Sequence, residues 1–535
     1  MKCGDLVELK ITDMSTNGEG IGHADGYTLF VAGALIGDEA QVRITHMKKS
    51  YGYGEVKKLL IFSPDRVKPL CPVSTKCGGC TLQNLSYEAQ LRFKKSLVQN
   101  DLKRIGGLDV EVNDVLGMEE PFRYRNKSQY PVGKDRRGNP ICGFYAGKSH
   151  DIVPMKDCAI SREVNAVILE KVLTFMKEEG IEPYDEKSGK GLVRHILIRE
   201  GFATGEIMVC LIINGQNLPK KDILADRLKA VPGVKSFCLN VNTKRNNVIL
   251  GDKVLPVLGE PFIMDYIGDL SFRISPLSFY QVNPVQTKKL YDTAKRLADV
   301  QADEVVLDLY CGIGTIGLYL ADKAKEVYGV EIVPQAVRDA TENARRNGIQ
   351  NAHFQAGASE DIFRNLPHAD VVMLDPPRKG CEESLLHELA QRAPKRIVYV
   401  SCNPSTLARD LKILTAEGYE VKEVQPVDMF PHSTHVETVC LLVRRNGLHI
   451  DIDVDVEKML REKRGQATYA QIKDYVLEQN GLKVSSLYIS QVKRKCGLDV
   501  SDSYNKPKSE DAIVPQCPPE KEEAIMSALR HFGVI

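Results

Sequence analysis

The chain has 535 residues, 43% hydrophobic and 27% charged, with a formal net charge of +1. That length exceeds one ordinary domain, and the composition is that of a folded globular chain. Near-neutral charge excludes a global pull toward nucleic acid, so any such contact must come from local patches.

Residues 1–60 read as short strand-like pieces, LVELKI, YTLFVAG, EAQVRITHM and GYGEVKKLL. Glycine-rich turns such as TNGEGIGHADG separate them, the pattern of a small antiparallel barrel. Arg43, Lys48, Lys49, Lys57 and Lys58 interleave with Tyr51 and Tyr53, a mixture that suits single-stranded nucleic acid. The opening MKCGDLVELK carries charges where a signal peptide needs an apolar core. No later run is apolar enough to span a bilayer, so the expectation is a cytoplasmic protein with no membrane partner.

Residues 61–270 mix a helical pattern, SYEAQLRFKKSLVQNDLKRI, with strands such as HILIRE and EIMVCLII. The segment FRYRNKSQYPVGKDRRGNPICGFY reads as a hairpin with a basic entry and tip. CPVSTKCGGC sets Cys71, Cys77 and Cys80 close together, and Cys158 in MKDCAI can supply a fourth ligand. In a reducing compartment such thiols suit structural zinc or an iron–sulfur cluster, and spacing leaves both open.

Residues 271–445 alternate strand and helix, which predicts a parallel, doubly wound sheet. VVLDLYCGIGTIGLYL runs strand, glycine turn, helix, with Gly312, Gly314 and Gly317 matching G-x-G-x-x-G. Glu331 closes the next strand, where a carboxylate can take ribose hydroxyls. A nicotinamide cofactor and S-adenosyl-L-methionine both fit that pattern. Asp308 just before the loop favours a cationic methyl donor, as does Asp375 in LDPPRKG at another strand end. RIVYVSCNP ends a strand on Cys402. A thiol beside a methyl donor has a use when the acceptor is C5 of a pyrimidine: addition to C6 makes C5 nucleophilic. The C5 proton must then leave, which requires a base, and PHSTHVETVCLL offers Glu437 with His432 and His435 nearby. Cys311, Cys381 and Cys440 read as structural. The last ninety residues hold helical patterns, a basic knot at Lys493, Arg494 and Lys495, and a polar linker near SYNKPKSEDA.

Together, SFYQVNP, DLYCGIGTIGL, VEI, LDPPRKG, SCNPSTLARD and HVET resemble the RNA (uracil-5-)-methyltransferases that act on 23S ribosomal RNA, over residues 1 to about 445. The resemblance implies a multidomain α/β protein. Its parts are an OB-like TRAM β-barrel for RNA (1–60), an α+β central domain (61–270), a Rossmann-like methyltransferase domain (271–445) and a helical extension (446–535). It implies Cys402 as nucleophile, Glu437 as base, and Gln281, Tyr310, Glu331 and Asp375 as S-adenosylmethionine contacts. It also implies a 4Fe-4S cluster on Cys71, Cys77, Cys80 and Cys158, ribosomal RNA as partner and no obligate protein partner. Three other readings remain: a transfer-RNA uracil methyltransferase of the same chemistry, an amino or ring-nitrogen RNA methyltransferase, and a non-catalytic RNA-binding or ribosome assembly factor.

Overall fold

The computed structural model describes residues 1–147, 149–445, 467–498 and 515–535. They belong to two compact units, Met1–Arg445 and Asn446–Ile535. No helix among the described residues is long and apolar enough to cross a membrane.

The first unit opens with a closed barrel of five strands, β1 (Leu6–Met14), β2 (Gly20–Ala24), β3 (Tyr27–Ala32), β4 (Glu39–Met47) and β5 (Tyr51–Ile61), in the order β1-β2-β3-β5-β4. Leu9, Ile11, Leu29, Val31, Ala40 and Val42 alternate inward and fill it. Two features differ from the sequence expectation. β2 lies in the segment read as a turn, because Gly20 lets the chain pass close to its neighbours: a Cβ there would meet the Ala34 carbonyl at 2.8 Å. The barrel is also not wholly antiparallel, since β3 and β5 pair in parallel to close it.

After α1 (Tyr87–Asp101) comes a mixed seven-stranded sheet of order β12-β11-β10-β9-β6-β7-β8. Its elements are β6 (Lys127–Lys134), β7 (Pro140–Tyr145), β8 (Ile152–Pro154), α2 (Val164–Glu178), β9 (Val193–Glu200), β10 (Ile207–Ile213), α3 (Lys221–Lys229), β11 (Val234–Val241) and β12 (Lys253–Leu258). Ile168, Val172 and Phe175 of α2 and Leu224 and Leu228 of α3 bury one face against Ile196, Val209 and Leu211. On the opposite face Leu197, Met208 and Cys210 join the core of the following sheet, so both faces are apolar and the strands read as continuous hydrophobic runs.

A hairpin, β13 (Ile263–Ile267) and β14 (Leu270–Ile274), and α4 (Pro284–Ala298) lead into the second seven-stranded sheet, β17-β16-β15-β18-β19-β21-β20. Here β15 (Val305–Leu309), α5 (Thr315–Leu320), β16 (Glu326–Glu331), α6 (Pro334–Arg346), β17 (Ala352–Ala356), α7 (Ser359–Ile362), β18 (Val371–Leu374), α8 (Glu383–Arg392), β19 (Arg396–Ser401) and α9 (Pro404–Ala416) alternate. The first five strands of that order are parallel. β20 (Tyr419–Val427) and β21 (Glu437–Arg444) close the sheet as a hairpin, β21 running antiparallel to β19. Strand order reverses between β15 and β18, the place where open α/β sheets bind ligands. The helix α1 precedes the central sheet in the chain yet buries Val98 with Leu407, Leu411 and Val424 of this second sheet layer.

In the second unit α10 (Tyr469–Asn480), α11 (Ser486–Lys495) and α12 (Pro519–His531) share a core of Ile472, Val476, Ile489, Val492, Ile525 and Leu529. A reciprocal Thr468–Gln471 capping box starts α10 and Gly481, at φ 68°, ends it. Two residues of the basic knot are engaged internally: Lys495 pairs with Glu522 at 2.7 Å and Lys493 lies over the Tyr469 ring. The linker SYNKPKSEDA lies outside the described residues.

Candidate active site

The glycine loop follows β15. Tyr310 adopts a left-handed backbone, φ +67°, rare for a bulky residue, and its hydroxyl donates to Glu360 at 2.8 Å. Gly312 (φ +56°) has nothing within 4 Å of where a Cβ would sit, so its backbone stays open to the crevice. At Gly317 a Cβ would meet Asp308 Oδ2 at 2.8 Å, and the Gly317 amide donates to that oxygen at 2.7 Å. The last glycine therefore lets α5 press onto β15 and ties one oxygen of Asp308. The other, Oδ1, is buried with no hydrogen-bond partner. Glu331 accepts from the Gly312 amide at 3.1 Å and from the Val333 amide at 2.8 Å, which holds loop and strand end together.

One cavity of about 670 Å³ opens above these strand ends. Gln281, Asp308, Tyr310, Glu331, Asp375, Cys402 and Glu437 all line it, with Arg378 and His435. Topology explains the meeting of Cys402 and Glu437, which are 35 positions apart. Because β21 runs antiparallel to β19, Ser401 pairs with Thr438, and one further step sets Cys402 beside Glu437. Gln281 comes from outside the sheet. Asn126, entering β6, bonds its backbone to the Val282 carbonyl and its side chain to the Gln281 carbonyl, both at 2.9 Å.

The site is acidic. Burial and the nearby Asp375 and Glu331 push the Asp308 carboxyl up to about 7, and burial alone takes Asp375 to about 7. Glu437 rises to about 8 through burial and the charge of Asp375, opposed by Arg378. Burial with Glu437 and Asp375 raises the Cys402 thiol to about 11, again opposed by Arg378. Such a cavity favours a cationic guest over a pyrophosphate.

Comparison with known proteins agrees with this chemistry. A profile for tRNA (uracil-5-)-methyltransferase matches residues 266–445, and one for the TRAM domain matches residues 2–57. An uncharacterized RNA methyltransferase of Halalkalibacterium halodurans is 51% identical over 448 residues, 83% of this chain and 98% of that one. One from Clostridium tetani is 48% identical over 447 residues, 83% of this chain and 97% of that one. The crystal structure of Pyrococcus abyssi tRNA (uracil-54, C5)-methyltransferase in complex with S-adenosyl-L-homocysteine matches with TM-score 0.67 and 31% identity, covering 82% of this chain and 100% of that one. This chain belongs to the RNA (uracil-5-)-methyltransferase family. It is an S-adenosylmethionine-dependent RNA methyltransferase with an amino-terminal TRAM barrel.

The four cysteines singled out in this methyltransferase, Cys71, Cys77, Cys80 and Cys158, line a second cavity of about 260 Å³. Among the described residues no group of three or more His, Cys, Asp or Glu is arranged to hold a metal ion, so the expected closed ligand set is not present as the side chains stand. The thiols face a shared space instead. Burial and the neighbouring Cys158, Cys77 and Cys71 push the Cys80 thiol to about 12, and burial raises Cys77. Closing such a set requires a cation that deprotonates the thiols.

Sequence reasoning missed the groups that hold the Glu437 segment. Lys94 and Asp428 form an ion pair whose side chains are 0% exposed. Tyr87 donates to Asp428 at 2.9 Å and Lys94 to the Phe430 carbonyl at 3.0 Å. Gln90 accepts from the His432 amide at 2.8 Å, and the His432 ring stacks on Phe122 at 4.2 Å. His432, at φ +66°, is thus a structural corner, whereas His435 reaches the cavity. A signal was present: Gln90, Lys94 and Val98 recur every four residues, so two polar side chains lie on the buried stripe of α1 and require partners.

Proposed function

We propose that this enzyme methylates C5 of a uridine in cytoplasmic 23S ribosomal RNA, with Cys402 as nucleophile and Glu437 as general base. The reading is supported above all by one arrangement: a strand-end thiol and a buried carboxyl beside it, in the cavity that carries the glycine loop. Gln281, Tyr310, Glu331 and Asp375 hold S-adenosylmethionine, which when bound supplies an electrophilic methyl group on a cationic sulfonium. A uridine stacked in folded RNA hides C6, so the base must first be splayed out of its stack. Cys402 Sγ adds to C6 as the thiolate, the C5–C6 electron pair moves onto C5, and C5 takes the methyl group, leaving S-adenosyl-L-homocysteine. Glu437, in its ionised form, then removes the C5 proton, the C6–S bond breaks and Cys402 leaves as thiolate. Arg378 supplies the positive charge that favours this thiolate at both ends of the cycle.

Cys402→Ala is expected to abolish methyl transfer to ribosomal RNA while S-adenosylmethionine binding persists; a normal rate would remove covalent activation from the account. The second reading, transfer RNA as substrate, is favoured by the likeness to the Pyrococcus abyssi enzyme. Mass mapping of 5-methyluridine in ribosomal and transfer RNA from cells with and without the gene separates the two.

For the cysteine-lined cavity the occupant we propose is a 4Fe-4S cluster on Cys71, Cys77, Cys80 and Cys158. The all-thiol donor set and a space wider than one ion support it. It would fasten the segment after the barrel to the central sheet. Iron and acid-labile sulfide in anaerobically purified protein, lost in Cys158→Ser, are the expected result; stoichiometric zinc would replace the cluster with an ion.

A further inference from the structure

A third cavity, of about 200 Å³, adjoins the active site on its barrel side. Arg378, Cys402 and His435 line both spaces, so the two meet around the reactive sulfur. The outer wall is the β1–β2 turn of the TRAM barrel, through Thr16 and Asn17, and the floor is Leu97, Pro404 and Val436. The turn is closed by its own hydrogen bond, the Gly18 amide donating to the Ser15 carbonyl at 2.9 Å. A Cβ on Gly18 would come within 3.2 Å of Thr434 Cγ2 on the segment that carries Glu437. Opposite the turn, Ser405 donates to Asp101 at 2.6 Å, closing α9 onto α1.

We propose that this cavity is a subsite for the nucleobase adjacent to the target uridine, read by the barrel turn; the inference rests on the uridine chemistry proposed above. Three observations carry it. The space is several times the roughly 30 Å³ of one water, and an apolar floor faced by polar groups suits a planar ring with a hydrogen-bonding edge. Asn17 is exposed, and its side-chain amide has no hydrogen-bond partner among the described residues, leaving a donor and an acceptor for a base edge. The Arg378 guanidinium, in the wall common to both cavities, makes no hydrogen bond or ion pair there either. It lies in the same wall as Cys402, and a guanidinium without a protein partner among the described residues can take the phosphodiester that joins the two nucleotides. The TRAM barrel then does more than add affinity: its turn takes part in choosing which uridine is presented.

The test uses the full-length enzyme and a synthetic stem-loop around the uridine identified by mass mapping. Each neighbour of the target is replaced in turn by an abasic residue, and enzymes with Asn17→Trp, which fills the space, and Asn17→Ala are compared with the wild type. The expected result is a tenfold or greater loss of kcat/KM for the wild type with one of the two abasic RNAs. Asn17→Trp should show a similar loss on intact RNA and little further loss on that abasic RNA. Asn17→Ala should narrow the ranking of the four bases at that position. Urea midpoints equal to wild type confirm that the exposed turn tolerates both changes. Wild-type kcat/KM for Asn17→Trp on intact RNA, or an abasic penalty undiminished in it, overturns the subsite. Absence of 5-methyluridine from wild-type reactions would instead remove the reaction on which it rests.

Discussion

Replacing Glu437 by Gln tests both the electrostatics and the chemistry of the site. The residue is 4% exposed and its carboxyl, beside Asp375, is raised from 4.5 to about 8. The native state therefore keeps a proton that the unfolded chain releases above pH 4.5. The stability due to that proton is complete below 4.5 and is lost as pH climbs through 8. Between pH 5 and pH 9 the wild type should lose on the order of 4 kcal/mol that the variant, having no ionisable group there, does not lose. Relaxation around the charged form lowers this to about 2 kcal/mol at the least. The glutamine adds a buried amide whose cost, about 1–3 kcal/mol, is independent of pH. The quantity to read is therefore the change in the wild-type-to-variant difference across the pH range. Urea unfolding followed by circular dichroism and tyrosine emission measures it, since the chain has 20 tyrosines and no tryptophan. Near pH 9 the same variant, incubated with RNA and S-adenosylmethionine, should accumulate a denaturation-resistant protein–RNA band, because the C5 proton stays in place. A stability difference that is flat between pH 5 and 9 would refute the buried-carboxyl argument. A flat difference together with normal turnover would also remove Glu437 from the mechanism.

Three further outcomes follow from the same geometry. With Asp308 and Asp375 both raised to about 7, S-adenosylmethionine affinity should strengthen as pH rises from 6 to 8, because a cation binds the ionised carboxylates; calorimetry should show proton release on binding at pH 7. Lys94→Met leaves Asp428 buried without its cation and should cost about 3–5 kcal/mol in urea unfolding. Lys94→Met with Asp428→Leu should recover much of that loss, and a double variant no more stable than the single would deny the pair. Gly317→Ala drives a methyl group against Asp308 Oδ2, so cofactor affinity should fall at least tenfold, with a stability loss of about 1–3 kcal/mol, both measurable by titration and melting.

Much of the catalytic half is local and hence legible in sequence. The G-x-G-x-x-G turn declares itself because Gly312 and Gly314 require a positive φ and Gly317 a close approach. The strands of the second sheet stand out because burial on both faces demands unbroken apolar runs. Cys402 could be singled out because a thiol at a strand end beside a methyl-donor pattern has a specific chemical use. What the chain alone cannot express is which segments meet. β2 was hidden because its glycines serve close packing inside the barrel, and the parallel β3–β5 pairing arises from ring closure, not from either strand's own pattern. The meeting of Cys402 with Glu437 depends on β21 inserting antiparallel beside β19, and the fastening of that segment depends on α1 docking its buried Lys94 onto Asp428. Periodicity and turn chemistry act over a few residues, so they reveal elements and loops. The placing of two elements side by side is settled by the burial of their shared surface, and that surface exists only in the folded molecule.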